Sequence, residues 1–202
     1  MDNLRQETID TYNKSAKELA KYFQGYGART KDIELGLKLA GKPKSARVVE
    51  IGCGDGRDAA EIIPRVQFYV GCDISSELIK IAQAKVPAGT FEIADVMNFE
   101  FPDNLDVVYA FASLLHLDKT EIKTVLQKVE RALKTGGVFY VSLKYAPHYQ
   151  EKIKKDKYGK RLFYFYSPEE IAELAGNAFR VVVTDLHTHG DTKWFTIALQ
   201  KA

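Results

Sequence analysis

Apolar residues follow two different periods along this chain. From residue 46 onward, short continuous apolar runs alternate with segments in which apolar residues recur at helical spacing. A short continuous run is typical of a strand buried on both faces, and the longer period is typical of an amphipathic helix. The predicted strands cover residues 48–51, 68–73, 91–94, 107–112 and 138–143. Strands and helices that alternate in this way predict an α/β fold with a parallel sheet covered by helices on both faces.

The N-terminal segment has the helical period alone. Apolar side chains recur from residue 4 to about residue 22, which predicts one helix, and a second short helical pattern passes through Ile33, Leu37 and Leu39. Residues 41–45 then predict a linker. We expect a single domain over residues 1–202, with residues 1–45 as a helical lid and residues 46–202 as the core.

Two helices of the core have recognisable starts. Asp118 precedes a helical pattern and Glu121 follows at the spacing of a capping box, and Gly136 is the predicted end of this helix. Ser167 and Glu170 have the same spacing, with a proline at the first helical position between them. The sequence therefore predicts helices that begin at residues 118 and 167.

The last third of the chain departs from simple alternation. Residues 180–185 and 193–200 predict two strands joined by a turn at 188–192, so a C-terminal antiparallel hairpin closes the sheet. Residues 145–161 are polar, rich in lysine and without a clear period, which is typical of a solvated loop.

The junction between the first strand and the next helix is the most informative stretch. It reads VVEIGCGDGRD over residues 48–58, with glycines at alternate positions 52, 54 and 56. Glycine lets the backbone turn sharply and approach a ligand that a β-carbon would keep away. Asp73 ends the next apolar run, where a carboxylate can accept both hydroxyls of a ribose. The pattern predicts a nucleoside-containing cofactor, although Arg57 stands where a dinucleotide fingerprint has its third glycine.

Five motifs in the right order resemble those of the class I S-adenosylmethionine (SAM)-dependent methyltransferases of the general small-molecule type. They are the glycine turn preceded by Glu50, the acid Asp73, and residues 94–96, 105–116 and 133–138. The resemblance extends from residue 47 to the C-terminus. It implies a three-layer Rossmann-like sandwich with a seven-stranded, mostly parallel sheet and a C-terminal antiparallel hairpin. It also implies that a methyl group moves from SAM to an unidentified small-molecule acceptor, leaving S-adenosylhomocysteine (SAH).

The resemblance further implies which residues hold the cofactor. Asp73 would bind ribose, Asp95 and Val96 would meet adenine, and backbone near residues 111 and 112 would face the amino-acid end. Tyr12 resembles a tyrosine that covers the methionine end, and it is equally typical of a core aromatic on an amphipathic helix. The complete implied set is Tyr12, Glu50, Gly52, Cys53, Gly54, Gly56, Asp73, Ile74, Asp95, Val96, Phe111 and Ala112.

His116 is the candidate catalytic residue, because the resemblance places its loop beside the methyl group. It could act as a base or orient the acceptor, or it could simply hydrogen-bond loop backbone. A base must be a neutral imidazole, so that role predicts a loss of activity below a pH of about 6.5. Lys144 and Tyr145 follow the fifth strand at the same edge, where Lys144 could pair with an acidic substrate or remain solvated.

Charge and cysteine content narrow the expected environment. Lys and Arg number 29 against 27 for Asp and Glu, a net charge of +2, which gives no general attraction to nucleic acid or membrane. No apolar run approaches the roughly 20 residues needed to cross a bilayer, and the first residues are too polar for a signal peptide. Cys53 and Cys72 lack metal-ligand spacing, so we expect buried thiols of a cytoplasmic protein and no metal site.

The basic segment 152–161 leaves two further functions open. It could dock RNA or a protein substrate, and the aromatics at 163–166 could stack on bases, line the acceptor pocket or cap the sheet. After the fourth strand the chain lacks the Asp/Asn-Pro-Pro-Tyr motif of the family members that methylate amino groups of DNA, RNA and protein. It also lacks the Pro-Cys pair of the cytosine C5 enzymes, and both absences favour a small-molecule acceptor over nucleobases. A SAM-binding sensor or partner protein without turnover is the other alternative. We expect a monomer or a homodimer.

Overall fold

The computed structural model describes residues 3–42 and 44–202, so Met1, Asp2 and Pro43, the last inside the predicted linker, lie outside the described residues. The helices are α1 (Asn3–Lys14), α2 (Ala16–Gln24), α3 (Thr30–Leu39), α4 (Ala59–Ile62), α5 (Ser76–Lys85), α6 (Lys119–Ala132) and α7 (Pro168–Ala175). The strands are β1 (Arg47–Ile51), β2 (Phe68–Asp73), β3 (Thr90–Ile93), β4 (Leu105–Phe111), β5 (Leu133–Lys144), β6 (Gln150–Asp156), β7 (Gly159–Phe165), β8 (Phe179–His189) and β9 (Thr192–Lys201).

Seven of the strands form one sheet in the order β3-β2-β1-β4-β5-β9-β8. The first five strands in this order, β3 to β5, run parallel to one another, whereas β9 runs antiparallel to both β5 and β8. The predicted seven-stranded, mostly parallel sheet with a C-terminal antiparallel hairpin is therefore confirmed. β8 continues to His189, beyond the predicted end at residue 185. The prediction ended too early because the last part of the strand is largely exposed and has no apolar pattern.

Helices cover both faces of the sheet and make three layers. On one face, α6 and α7 pack through buried residues such as Ile122 and Ile171. On the other face, α3, α4 and α5 bury Ile33, Ile62 and Ile79. All seven residues of β4 are buried between the two layers. The continuous apolar run of this strand thus reflects burial on both sides.

Both predicted capping boxes are confirmed. The Asp118 carboxylate accepts a hydrogen bond from the Glu121 N–H at 2.9 Å, and the Ser167 hydroxyl accepts from the Glu170 N–H at 3.2 Å. The predicted end of α6 is wrong, because the helix passes directly into β5 and Gly136 lies inside that strand with φ at 78°. This glycine serves a left-handed turn of the strand, a conformation that glycine adopts without steric cost.

The predicted single N-terminal helix is also wrong, since Ser15 divides it into α1 and α2. Ser15 has φ −108° and ψ 20°, and its hydroxyl donates to the carbonyl oxygen of Tyr158 at 2.8 Å. Backbone hydrogen bonds still join Ser15 to Thr11 and to Leu19, at 3.1 and 2.9 Å, so the two helices remain connected through this residue.

The predicted loop at residues 145–161 contains β6, which pairs with β7 as a separate antiparallel hairpin. Nearly every residue of β6 is exposed. A strand without a buried face has no apolar alternation, and for that reason the sequence pattern concealed it. The hairpin joins the main body through a bridge between Tyr145 and Tyr166.

Candidate functional site

The three glycines after β1 all take left-handed backbone, with φ of 70°, 54° and 75°. A β-carbon on Gly52 would lie 2.1 Å from Cβ of Ser113, and one on Gly56 would lie 3.1 Å from Cβ of Ala82 in α5. A β-carbon on Gly54 would meet no described atom within 4 Å. The turn is therefore packed against protein on two sides and leaves an open cradle beyond Gly54.

Asp73 ends β2 directly beside this turn. Its carboxylate accepts hydrogen bonds from the N–H groups of Gly54, at 3.0 Å, and Ser75, at 2.8 Å. Burial raises the pKa of Asp73, and these amide bonds act against that shift. Each carboxylate oxygen keeps a second lone pair. Asp73 thus holds the turn in place and retains acceptor capacity for further hydroxyl groups. The next residue, Ile74, is partly buried.

Glu50 and Cys53 lie on the protein side of the turn. Glu50 is 2% exposed and accepts a hydrogen bond from the Tyr69 hydroxyl at 2.5 Å. Burial, followed by the nearby charge of Asp58, raises the pKa of Glu50 well above its usual range. Cys53 is buried, its N–H donates to the carbonyl oxygen of Cys72 at 3.1 Å, and burial raises the pKa of its thiol. Both residues support the turn from beneath.

Asp95, the predicted adenine-binding acid, is held by the N-terminal helix. The Arg5 guanidinium donates to both of its carboxylate oxygens, at 2.9 and 2.8 Å, and the same guanidinium also bonds Glu121 at the start of α6. Val96, the next residue, is buried, and its carbonyl oxygen accepts from Lys128 at 3.1 Å. The first turn of α1 therefore covers the segment that follows β3.

The tip of β4 combines backbone strain with an unsatisfied hydroxyl. Ala112 takes φ 54°, and a non-glycine residue in this region costs on the order of 1 kcal/mol. Among the described residues, the buried Ser113 hydroxyl has no hydrogen-bond partner. The Phe111 ring stacks on Tyr109 within the core, and the Arg29 guanidinium lies 5.2 Å from its centroid, so Phe111 reaches this edge with its backbone. Backbone strain and orphaned polar atoms are concentrated at functional sites, and this loop has both.

His116 bonds at both ring nitrogens. A carbonyl oxygen can only accept, so Nδ1 donates to the Leu162 carbonyl oxygen of β7. Nε2 is then left to accept from the Tyr12 hydroxyl, at 2.9 Å. Burial, with a smaller contribution from the positive charges of Lys144 and Arg161, lowers the pKa of His116 to about 3. The imidazole is accordingly neutral, and its backbone contact reaches β7 rather than its own loop.

The same edge of β7 holds α1. The Thr8 hydroxyl accepts from the Leu162 N–H at 3.1 Å, and the Thr11 hydroxyl donates to the Lys160 carbonyl oxygen at 2.9 Å. Both threonines are buried. These bonds set α1 along the hairpin and bring Tyr12 onto His116, so the N-terminal helix, the hairpin and the loop after β4 meet at the carboxyl edge of the sheet.

Lys144 ends β5 at the same edge and is partly buried. Its ammonium lies 3.4 Å from the ring centroid of Phe163, and burial lowers its pKa to about 8. Tyr166 is buried and its hydroxyl donates to the Leu117 carbonyl oxygen at 2.6 Å, which anchors the aromatic run to the loop of His116. Tyr145 is partly buried beside it.

Sequence reasoning missed Arg5, Thr8, Thr11 and Arg161. Arg161 is 7% exposed, its guanidinium donates to Asp156 at 2.5 Å, and it lies near the rings of Tyr12, Tyr158 and Phe163. Arg5, Thr8 and Thr11 hydrogen-bond to partners 90 to 154 positions away in the chain. Arg161 lies in the lysine-rich stretch, where nothing in the local pattern separates a buried arginine from a solvated one.

Two features are absent from residues 3–42 and 44–202. No helix there is long and apolar enough to cross a membrane. No group of three or more His, Cys, Asp or Glu side chains there could hold a metal ion.

Comparisons with known proteins agree with this geometry. The family model of the methyltransferase domain matches residues 48–137, from β1 into β5. The chain is 29% identical over 118 residues to a trans-aconitate 2-methyltransferase of Variovorax paradoxus. This match covers 57% of this chain and 45% of that protein. It is 27% identical over 169 residues to a phosphoethanolamine N-methyltransferase of Plasmodium falciparum, and this match covers 77% of this chain and 59% of that protein. The chain spans about half the length of the curated relatives it matches.

Among solved structures, the fold matches Burkholderia thailandensis 1,6-didemethyltoxoflavin-N1-methyltransferase, which has bound 1,6-didemethyltoxoflavin and SAH. The TM-score is 0.74 at 18% identity, and the match covers 96% of this chain and 86% of the other. The predicted resemblance is confirmed: the chain has the fold of the class I SAM-dependent methyltransferases, and its residues 48–137 match the family model of the methyltransferase domain.

Proposed function

We propose that this chain is a SAM-dependent methyltransferase that acts on a small-molecule acceptor held at the carboxyl edge of the sheet. The observation that carries the proposal is the open cradle beyond Gly54, whose N–H donates to the Asp73 carboxylate. Ligands of open α/β sheets bind at this edge. The two relatives named above are methyltransferases of small molecules, which supports an acceptor of that size.

Three features of the site fit SAM. A β-carbon on Gly54 would meet no described atom within 4 Å, Asp73 keeps lone pairs for the ribose hydroxyls, and the Ser113 hydroxyl beside Gly52 has no partner among the described residues. Asp95 and Val96 would meet adenine, under Arg5 of α1. The bound cofactor supplies a methyl group that is already activated on a sulfonium, so the chain must chiefly position the acceptor. The remaining members of the proposed set are Tyr12, Glu50, Gly52, Cys53, Gly56, Ile74, Phe111 and Ala112.

His116 orients the acceptor through Tyr12 in this proposal. A histidine whose pKa is about 3 is a weak base, and its Nε2 already accepts from the Tyr12 hydroxyl. Burial raises the pKa of Tyr12, so the phenol keeps its proton and presents its oxygen as an acceptor. Of the two catalytic roles expected for His116, orientation therefore agrees better with these contacts than proton abstraction.

The N-terminal helices and the β6–β7 hairpin form the lid of this site. α1 bonds β7 through Thr8 and Thr11 and bonds the segment after β3 through Arg5. Closure of such a lid would exclude water and fix the acceptor for in-line transfer. The free, buried Cys53 and Cys72 agree with a cytoplasmic location.

Calorimetry tests the cofactor with a matched pair of variants. The chain is expected to bind SAM and SAH at one site and to bind neither NAD nor FAD. Gly54→Ala places a methyl group in the cradle and should abolish binding. Gly190→Ala is the control, because Gly190 has φ 55° and an equally open surrounding among the described atoms, in the turn between β8 and β9. Normal SAM binding by Gly54→Ala would move the cofactor elsewhere.

A second pair of variants tests the ribose acid. Asp73→Ala should weaken SAM binding by about 1.5–3 kcal/mol, the usual cost of lost hydrogen bonds to a charged group. Asp103→Ala removes an exposed carboxylate from the loop before β4, at the opposite edge of the sheet, and should leave the affinity unchanged. Equal affinities of the two variants would contradict the assignment of Asp73.

The two alternatives have their own outcomes. A macromolecular acceptor on the basic segment would appear as salt-dependent affinity for RNA or protein, although Lys154 and Lys160 already pair with Asp156 and Glu7. A SAM sensor would bind SAM and release no SAH with any acceptor.

A further inference from the structure

Two cationic side chains flank one aromatic ring beside the proposed acceptor position. The Lys144 ammonium lies 3.4 Å from the centroid of Phe163, and the Arg161 guanidinium lies 5.4 Å from it. The imidazole of His116 packs against the same ring, with a centroid distance of 4.8 Å. Both cations therefore lie next to the Tyr12–His116 pair.

The positive charge in this cluster exceeds the negative charge. Asp156 is the one carboxylate bonded to Arg161 in the part of the chain that the structure describes, and the buried Nε of Arg161 has no partner there. Lys144 makes no hydrogen bond and no ion pair among the same residues, although it contacts three aromatic rings and the charge of Asp156 acts on its pKa. A buried cation or donor without a partner is costly.

The hairpin adds further positive charge to the same face. Lys152 and Lys154 of β6 stand opposite Phe163 and Arg161 in the antiparallel register, and directly paired residues share one face of a sheet. Burial first, and then the charges of Lys154, Arg161 and Lys152, depress the pKa of Lys144. A bound anion would relieve both the repulsion and the unsatisfied donor.

We infer that Arg161 and Lys144 form an anion-binding subsite of the acceptor pocket, which takes a carboxylate or phosphate group attached to an apolar body. This inference rests on the proposed function. An arginine fork suits either group because it donates two parallel hydrogen bonds. The rings of Phe163, Phe165 and Trp194 around Lys144 supply apolar contact surface for the rest of the acceptor. An anion held between the two cations leaves the remainder of the molecule beside Tyr12 and His116.

The test uses matched pairs of small probes on the chain of 202 residues saturated with SAH. Calorimetry compares benzoate with benzamide, and phenyl phosphate with phenol, so each pair differs in charge and shares its ring. The anion of at least one pair should bind about tenfold more tightly than its uncharged counterpart, and added salt should weaken it. The pair that shows the larger preference distinguishes a carboxylate from a phosphate acceptor.

Three variants locate the effect. Lys144→Met and Arg161→Gln should each weaken the preferred anion by about tenfold and change SAH affinity by less than about twofold. Lys155→Gln is the control, because it removes the same charge from an exposed position of β6 whose partner is Lys160. Thermal unfolding checks each fold. If Arg161→Gln does not fold, Lys144→Met decides, since methionine suits an aromatic surrounding.

The two possible failures are distinguishable. A chain that binds no SAH contradicts the proposed function. A chain that binds SAH but shows no preference for either anion overturns the subsite alone. The subsite is equally overturned if Lys144→Met weakens the anion no more than Lys155→Gln does.

Discussion

The protonation state of one side chain, His116, determines how the reaction responds to acid. Its pKa of about 3 keeps the imidazole neutral at every pH at which the protein would be assayed. A loss of activity near pH 6.5, as expected for an exposed histidine base, should therefore not occur. The check is an NMR titration of the His116 ring, assigned with His116→Gln. Its signals should stay constant from pH 8 to about pH 5, and a midpoint near 6.5 would contradict the neutral, buried imidazole.

The same residue links stability to pH. In the unfolded chain a histidine binds its proton near pH 6.5, whereas in the folded chain His116 binds it at a pH of about 3. Between these values the unfolded state holds more protons, so stability falls as the pH falls, by up to about 1.4 kcal/mol per pH unit. His116→Gln should remove that part of the slope. Urea unfolding at pH 7, 6 and 5 measures both proteins, and parallel slopes would show that His116 does not contribute.

At the scale of elements, α1 depends on β7 for its position. Thr8→Val combined with Thr11→Val removes the two hydrogen bonds between them, each worth about 0.5–1.5 kcal/mol. Hydrogen exchange should become about tenfold faster in α1 and in the β6–β7 hairpin, with the core strands unchanged. Thr124→Val, on the exposed face of α6, is the matched control.

Added SAH should slow hydrogen exchange in α1 of the wild-type chain, and an unaffected α1 would contradict the proposal that α1 is part of a lid.

Which elements the sequence could predict depends on how local their causes are. β4 and α6 were predictable because their signals are local: the apolar run of β4 and the capping box of α6 each occupy a few consecutive residues. The glycine turn with Asp73 was predictable for the same reason, since steric freedom and one carboxylate define it. The break at Ser15 was not, because its partner, Tyr158, is 143 residues away. β6 was not, because it has almost no buried face.

At the scale of the whole molecule, the N-terminal helices are separable from the sheet. α2 contributes Ala16 and Ala20 to a small cluster with Leu78, and Tyr12 of α1 packs against it, whereas α3 belongs to the main core through Ile33 and Leu37. Deletion of residues 1–25 should therefore leave a folded sheet, seen as a cooperative unfolding transition, with weakened binding of SAH. If the shortened chain bound SAH and methylated an acceptor as before, these helices would be packing elements and the lid would be excluded.

The bonds between α1 and β7 also set an order of assembly during synthesis. Thr11 and its partner Lys160 are 149 residues apart, so at 5–20 residues per second the ribosome makes the second on the order of ten seconds after the first. An isolated helix of twelve residues is marginally stable in water, and α1 has that length. The α1 segment thus gains its partners on β7 only when the hairpin exists, which is after the five parallel strands β1–β5 have been synthesised.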